Sequence, residues 1–123
     1  MVKIIAFDLD GTLYDKHKHI DKDKVHKIID FEQKGIVVGI VTGRFYEELG
    51  EVIEKIKLRE YNGFVASSNG LEIHDFLDGE KKCFTRLSKD EVKDIVKEAK
   101  KHHLVSYVWQ KGVYTMFRVT ILD

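Results

Sequence analysis

A short run of branched apolar side chains at residues 2–7, closed by Asp8, Leu9, Asp10, Gly11 and Thr12, sets the terms for the rest of the sequence. The run reads as a buried strand, and two carboxylates separated by one residue follow where that strand should end. Residues i and i+2 of an extended chain point the same way, so Asp8 and Asp10 would converge just past the strand's carboxyl end. Gly11 permits a sharp exit there. In open α/β sheets, that crevice is where ligands sit. An Asp-Gly pair after a strand is also compatible with a plain hairpin turn that leaves both carboxylates in water.

Downstream, the periodicity changes. Val25, Ile28 and Ile29 share a helical face, with Asp21 or Asp23 as N-cap and Gly35 just past the end. Residues 36–41 form a second buried-type strand, closed by Thr42, Gly43 and Arg44. Strand, helix and strand in that order imply a right-handed crossover and a parallel sheet. Leu49, Val52, Ile53 and Ile56 predict an amphipathic helix over residues 45–58, and Asn62-Gly63 a turn. Phe64, Val65 and Ala66 predict a third strand ending at Ser67, Ser68, Asn69 and Gly70. All three strands therefore end in small polar residues, as a binding edge would.

Beyond that edge, residues 71–74 and 82–86 predict a hairpin about Asp78-Gly79. Ser88 and Glu91 form a capping box for a helix striped by Val92, Ile95, Val96 and Ala99. Residues 104–110 and 113–121 read as a last hairpin about Lys111-Gly112. The pattern changes near residue 80, which divides the chain into segments 1–80 and 81–123.

Charge narrows the classes of partner. The 21 basic and 21 acidic side chains cancel, so no long-range field favours nucleic acid or an anionic membrane surface. No apolar run approaches the ~20 residues of a membrane span. The single cysteine, Cys83, suits a reducing, cytoplasmic setting. His17 with His19, and His102 with His103, lack a third ligand at zinc-like spacing and read as solvated.

The three strand ends carry a coherent chemistry. A carboxylate that attacks a phosphoryl group forms an aspartyl phosphate that water then hydrolyses, and Asp8 is the residue placed for attack. Asp10 would deliver and remove the proton. Two carboxylates beside a phosphate dianion call for a divalent cation, and hard oxygen donors suit Mg²⁺. The Thr42 hydroxyl and the N–H groups of Gly43 and Arg44, at a helix N-terminus, would suit phosphate oxygens, with Arg44 steadying an anionic substrate. Thr42 is equally compatible with capping the second helix alone, and Asn69-Gly70 with a simple turn.

Asp8 to Thr12 resembles the first motif of the haloacid-dehalogenase-like (HAD) hydrolase superfamily. Thr42-Gly43-Arg44 is similar to the second motif of its Cof-type sugar-phosphatase branch. Ser68-Asn69-Gly70 with Leu71, Glu72 and Ile73 is similar to the stretch leading into that branch's cap. The resemblance implies a three-layer Rossmann-like α/β fold with a parallel sheet, as a partial core over 1–80, and a partial α+β cap over 81–123. It implies Asp8 and Asp10 as catalytic and Mg²⁺-binding residues. It further implies Leu9, Thr42, Gly43, Arg44 and Asn69 as phosphate or substrate contacts, and a small phosphorylated metabolite as substrate.

The family also uses a lysine and an acidic cluster after the cap, for which residues 1–123 hold no match. The expectation is a chain truncated within the cap, with a catalytically silent remnant or a split-enzyme fragment as the rival readings. Ile4, Ala6, Ile36, Val38 and Ile40 on one sheet face, and Ile5, Phe7, Val37 and Val41 on the other, predict burial on both faces. Crossovers running in one direction put both helices on one face. A homo-oligomer, a complementing fragment or a rearranged cap is therefore expected over the other face, with the first or second of these also over the first-strand edge.

Overall fold

The computed structural model of the chain describes residues 1–110 and 113–117, which fall into two units, Met1–Phe84 and Thr85–Asp123. In the first, β1 (Ile4–Asp8), β2 (Val37–Val41) and β3 (Phe64–Ser67) run parallel in that order. β4 (Glu72–Asp75) and β5 (Lys81–Cys83) extend the sheet antiparallel, to five strands. The switch of direction follows from the connections. Helical segments join β1 to β2 and β2 to β3, whereas only the 3-10 turn Ser68–Gly70 and Leu71 separate β3 from β4. The α/β class and Rossmann-like start agree with the sequence reading. Because β5 pairs with β4, the first unit runs past residue 80 to Phe84, whose N–H donates to the Leu71 carbonyl at 3.0 Å.

α1 (Lys22–Gln33) begins where Asp21 Oδ1 accepts the Lys24 N–H at 2.8 Å, and Gly35 (φ 81°) follows its C-cap, Lys34. The helix expected over 45–58 is instead interrupted. A 3-10 turn at Tyr46–Glu48 is followed by Leu49, outside helical geometry at φ −104° and ψ 1°, and then by a six-residue α2 (Gly50–Lys55). Gly50 is a poor helix former, which weakens continuity across that joint. At the other end Lys57 takes φ 54° and Leu58 folds back, donating its N–H to Ile53 at 3.0 Å. A continued helix would have turned Leu58 away from the core. As it is, Leu49, Val52, Ile53, Ile56 and Leu58 are each no more than 2% exposed.

These side chains meet Ile28 of α1 and Val38, Ile40 and Val65 of the sheet in one cluster, so both helices cover a single face. The register, with Ile5 beside Val38 and Phe7 beside Ile40, corrects the expected face assignment. Ile5, Phe7, Val38 and Ile40 share the covered face, while Ile4, Ala6, Val37 and Val41 share the open one. The ladder of β2 starts at Val37 opposite Ile4, and counting each strand from its own first residue misses that offset. Ile4 is 61% and Val41 42% exposed. Also on the open face, the Phe64 ring occupies the space a Cβ of Gly39 would need.

In the second unit, α3 (Lys89–Lys101) opens with the expected capping box. The Glu91 N–H donates to Ser88 Oγ at 3.2 Å, and the Ser88 N–H to Glu91 Oε2 at 2.7 Å. β6 (Ser106–Gln110) and β7 (Val113–Phe117) pair antiparallel, with Trp109 edge-on to Tyr114 at 4.5 Å. The expected Lys111-Gly112 turn and strand residues 118–121 lie outside the described residues. No helix among the described residues is long and apolar enough to cross a membrane.

Candidate active site

β1 delivers Asp8 to the carboxyl edge of the sheet, level with Val41 of β2. The chain then turns tightly. Thr12 and Tyr14 donate to the Leu9 carbonyl at 3.2 and 2.8 Å, Leu13 donates to Asp8 at 3.4 Å, and Gly11 takes φ 77°. Leu9 and Leu13, 0% and 4% exposed, anchor this loop in the core, while Asp8 and Asp10 stay on its exposed side. Leu9 therefore brings only its main chain to the site, and its N–H donates to Asp8 Oδ1 at 2.8 Å.

Asp10 is held by Arg44 in a two-pronged ion pair. Nε donates to Oδ2 and Nη2 to Oδ1, both at 2.7 Å. The same fork holds the Asp10 carboxyl below its usual range and raises Arg44. Glu48 Oε1 lies 3.8 Å from the guanidinium, which also sits 5.7 Å from the centroid of the Tyr14 ring. Sequence reasoning missed Tyr14 and Glu48. Glu48 stands four residues after Arg44, a spacing that signals an ion pair when the segment is helical, and Tyr14 offers no such signal.

Thr42 is 4% exposed, and its Oγ1 accepts the Arg44 N–H at 3.1 Å. The N–H expected to face a ligand is thus used within the loop. No α-helix begins there either, since the element after Phe45 is the three-residue 3-10 turn. The β2 and β3 ends are stitched together, with Asn69 donating to the Thr42 carbonyl at 3.0 Å and Ser68 to the Arg44 carbonyl at 2.8 Å. Asn69 takes φ 56°, and its side-chain oxygen lies 3.0 Å from where a Cβ of Gly43 would be, so a larger residue there would require the Asn69 side chain to shift by a few tenths of an ångström. Ser67, fully buried at the same edge, has an Oγ without a hydrogen-bond partner among the described residues. Asp8, Asp10, Thr42, Gly43, Arg44 and Asn69 thus occupy the adjoining ends of three neighbouring strands. Among the described residues no three His, Cys, Asp or Glu side chains converge as a metal site.

A haloacid dehalogenase-like hydrolase family model matches residues 5–118. Over 74 residues the chain is 38% identical to the 5-amino-6-(5-phospho-D-ribitylamino)uracil phosphatase of Bacillus subtilis, a match covering 60% of this chain and 28% of that protein. It is also 30% identical, over 74 residues, to the HMP-PP phosphatase of Cronobacter sakazakii, covering 60% of this chain and 26% of that one. A solved haloacid dehalogenase-like hydrolase from Bacteroides thetaiotaomicron superposes with a TM-score of 0.80 at 25% identity, over 94% of this chain and 44% of that one. The chain thus spans little more than a quarter of these curated relatives and under half of that structure.

Proposed function

The chain belongs to the haloacid dehalogenase-like hydrolase family, and from that premise we propose that it serves a phosphomonoester hydrolase acting on a small phosphorylated metabolite. An Asp8 carboxylate oxygen bonds to phosphorus as the bond to the leaving oxygen breaks, and that oxygen takes its proton from Asp10. Water then attacks the aspartyl phosphate, giving its proton to Asp10 and releasing Asp8 and phosphate. The observation that carries this reading is the meeting of both acids with Thr42, Gly43, Arg44 and Asn69 at one sheet edge. The fork to Arg44 adds a requirement. Asp10 is ionised within it, so the fork must open before Asp10 can carry a proton, and an arriving phosphate that competes for the guanidinium would open it.

The cofactor implied is Mg²⁺, and the donors fit it as a hard cation. The second carboxylate oxygen of Asp8 and the main-chain oxygen of Asp10 would hold it. Bound there, it would neutralise charge shared by the acids and the phosphate. The single cysteine, Cys83, suits a cytoplasmic setting. The test is turnover of an aryl phosphate with Mg²⁺. Activity lost in Asp8→Asn supports the proposal, and equal rates in wild type and variant support the silent-remnant reading instead.

A second observation bears on partners. β1 ends the sheet order, and Ile4 and Val41 are exposed on its open face. We propose that a second copy or a complementing fragment covers that edge and face. Light scattering on the eluting protein should report an assembly larger than one chain, or a monomer that binds an apolar dye. A dye-silent monomer would contradict this.

A further inference from the structure

The 3-10 turn after Arg44 is tied to the sheet by side chains that the proposed chemistry does not use. The ring of Tyr46 lies flat on that of His74, with centroids 3.6 Å apart and planes 6° from parallel. The Tyr46 hydroxyl accepts from Arg59 Nη2 at 2.9 Å, and that guanidinium lies 4.7 Å from the Phe76 ring centroid. On the β4 side, His74 Nε2 lies 3.5 Å from Glu72 Oε2, and Lys81 Nζ 3.3 Å from Glu72 Oε1. The His74 and Glu72 side chains are 13% and 17% exposed, so the stack has a sheltered base. The same turn carries Glu48, which approaches the guanidinium of Arg44 while Asp10 grips it. The main-chain anchors of Arg44, to Thr42 Oγ1 and Ser68, leave its long side chain able to rotate. Asp10, Glu48 and the Tyr14 ring restrict that rotation, and Glu48 is bound to the turn itself, its Oε2 accepting the Phe45 N–H at 2.9 Å.

We infer that His74 is a positioning residue: by stacking on Tyr46 it fixes the turn that carries Glu48, and so keeps the Arg44 guanidinium seated in its fork with Asp10. The value of that seat for catalysis rests on the proposed phosphate chemistry, whereas the seat itself is testable without turnover. The probe is the Arg44 Nε–H, followed by hydrogen exchange in a ¹⁵N-labelled chain. In the wild type the bond to Asp10 Oδ2 protects it. His74→Ala should speed its exchange about tenfold, the order expected for losing a stacked aromatic pair. His74→Phe, which keeps a flat ring, should restore protection, and Tyr46→Leu should match His74→Ala with no further loss in the double variant. Tyr46→Phe keeps the ring without the Arg59 bond and should stay protected. Unchanged Arg44 Nε–H exchange in His74→Ala, with the Val38 and Ile40 amides as protected as in wild type, would overturn the inference. So would a His74→Phe variant as impaired as the alanine. If His74→Ala does not fold, Tyr46→Leu set against Tyr46→Phe decides by the same readout. A wild type without any phosphatase activity would strike the proposed function and leave this result standing.

Discussion

Glu32 offers the sharpest test of the packing. It lies in α1 at 4% exposure, and neither carboxylate oxygen has a hydrogen-bond partner among the described residues. Burial, aided by Glu60 and opposed by Lys57, pushes its carboxyl from 4.5 up to about 7. The folded state thus holds a proton that the unfolded chain releases earlier. Below pH 4.5 both states are protonated and there is no penalty; it accumulates as pH rises from 4.5 and is complete once the folded carboxyl ionises, above about 7. The full difference is about 3 kcal/mol, most of which falls between pH 5 and pH 8. Urea unfolding at those two pH values should show the wild type losing that much more stability than Glu32→Gln, a midpoint difference of about 1 M. Gln keeps the volume and cannot ionise, so matching pH dependence in the two proteins would refute a proton held on Glu32.

Gly63 shares its space with the Val38 carbonyl and the Leu58 side chain, which a Cβ would meet. Gly63→Ala should therefore destabilise the first unit by about 1–3 kcal/mol in chemical unfolding. Ser88→Ala removes one half of the capping box; it should weaken α3 by about 1 kcal/mol and speed exchange of the amides in its first turn, with those of β1–β3 unaffected. Replacing Ile4 and Val41 together with lysine should suppress association or dye binding while leaving the covered-face core intact, as read by near-ultraviolet circular dichroism.

Much of the fold is legible because its signals are local. Asp21 at the N-cap, Gly35 past the helix end and the Ser88–Glu91 box each depend on a few adjacent residues. The apolar runs of β1, β2 and β3 are equally plain. What sequence periodicity cannot supply is register. The faces of Ile4 and Ile5 are set by which residue of β2 pairs with Ile4, a contact across more than thirty positions. The break at Leu49 and the fold-back at Lys57 escape it too, because the stripe from Leu49 to Ile56 fits an unbroken helix equally well. At the site, Asp8 and Asp10 are conspicuous as charges closing an apolar strand. The fork to Arg44 is not, since it depends on two loops meeting in space.

The proposed chemistry stands or falls with phosphoryl transfer to Asp8. It is tested most directly by mixing the chain with an aryl phosphate and Mg²⁺, quenching in acid within the first turnover, and mapping the adduct by peptide mass. One phosphoryl group is expected on the peptide containing Asp8, removed by hydroxylamine as an acyl phosphate must be, and absent in Asp8→Asn. Turnover with no such adduct, or an adduct that persists in Asp8→Asn, would contradict it.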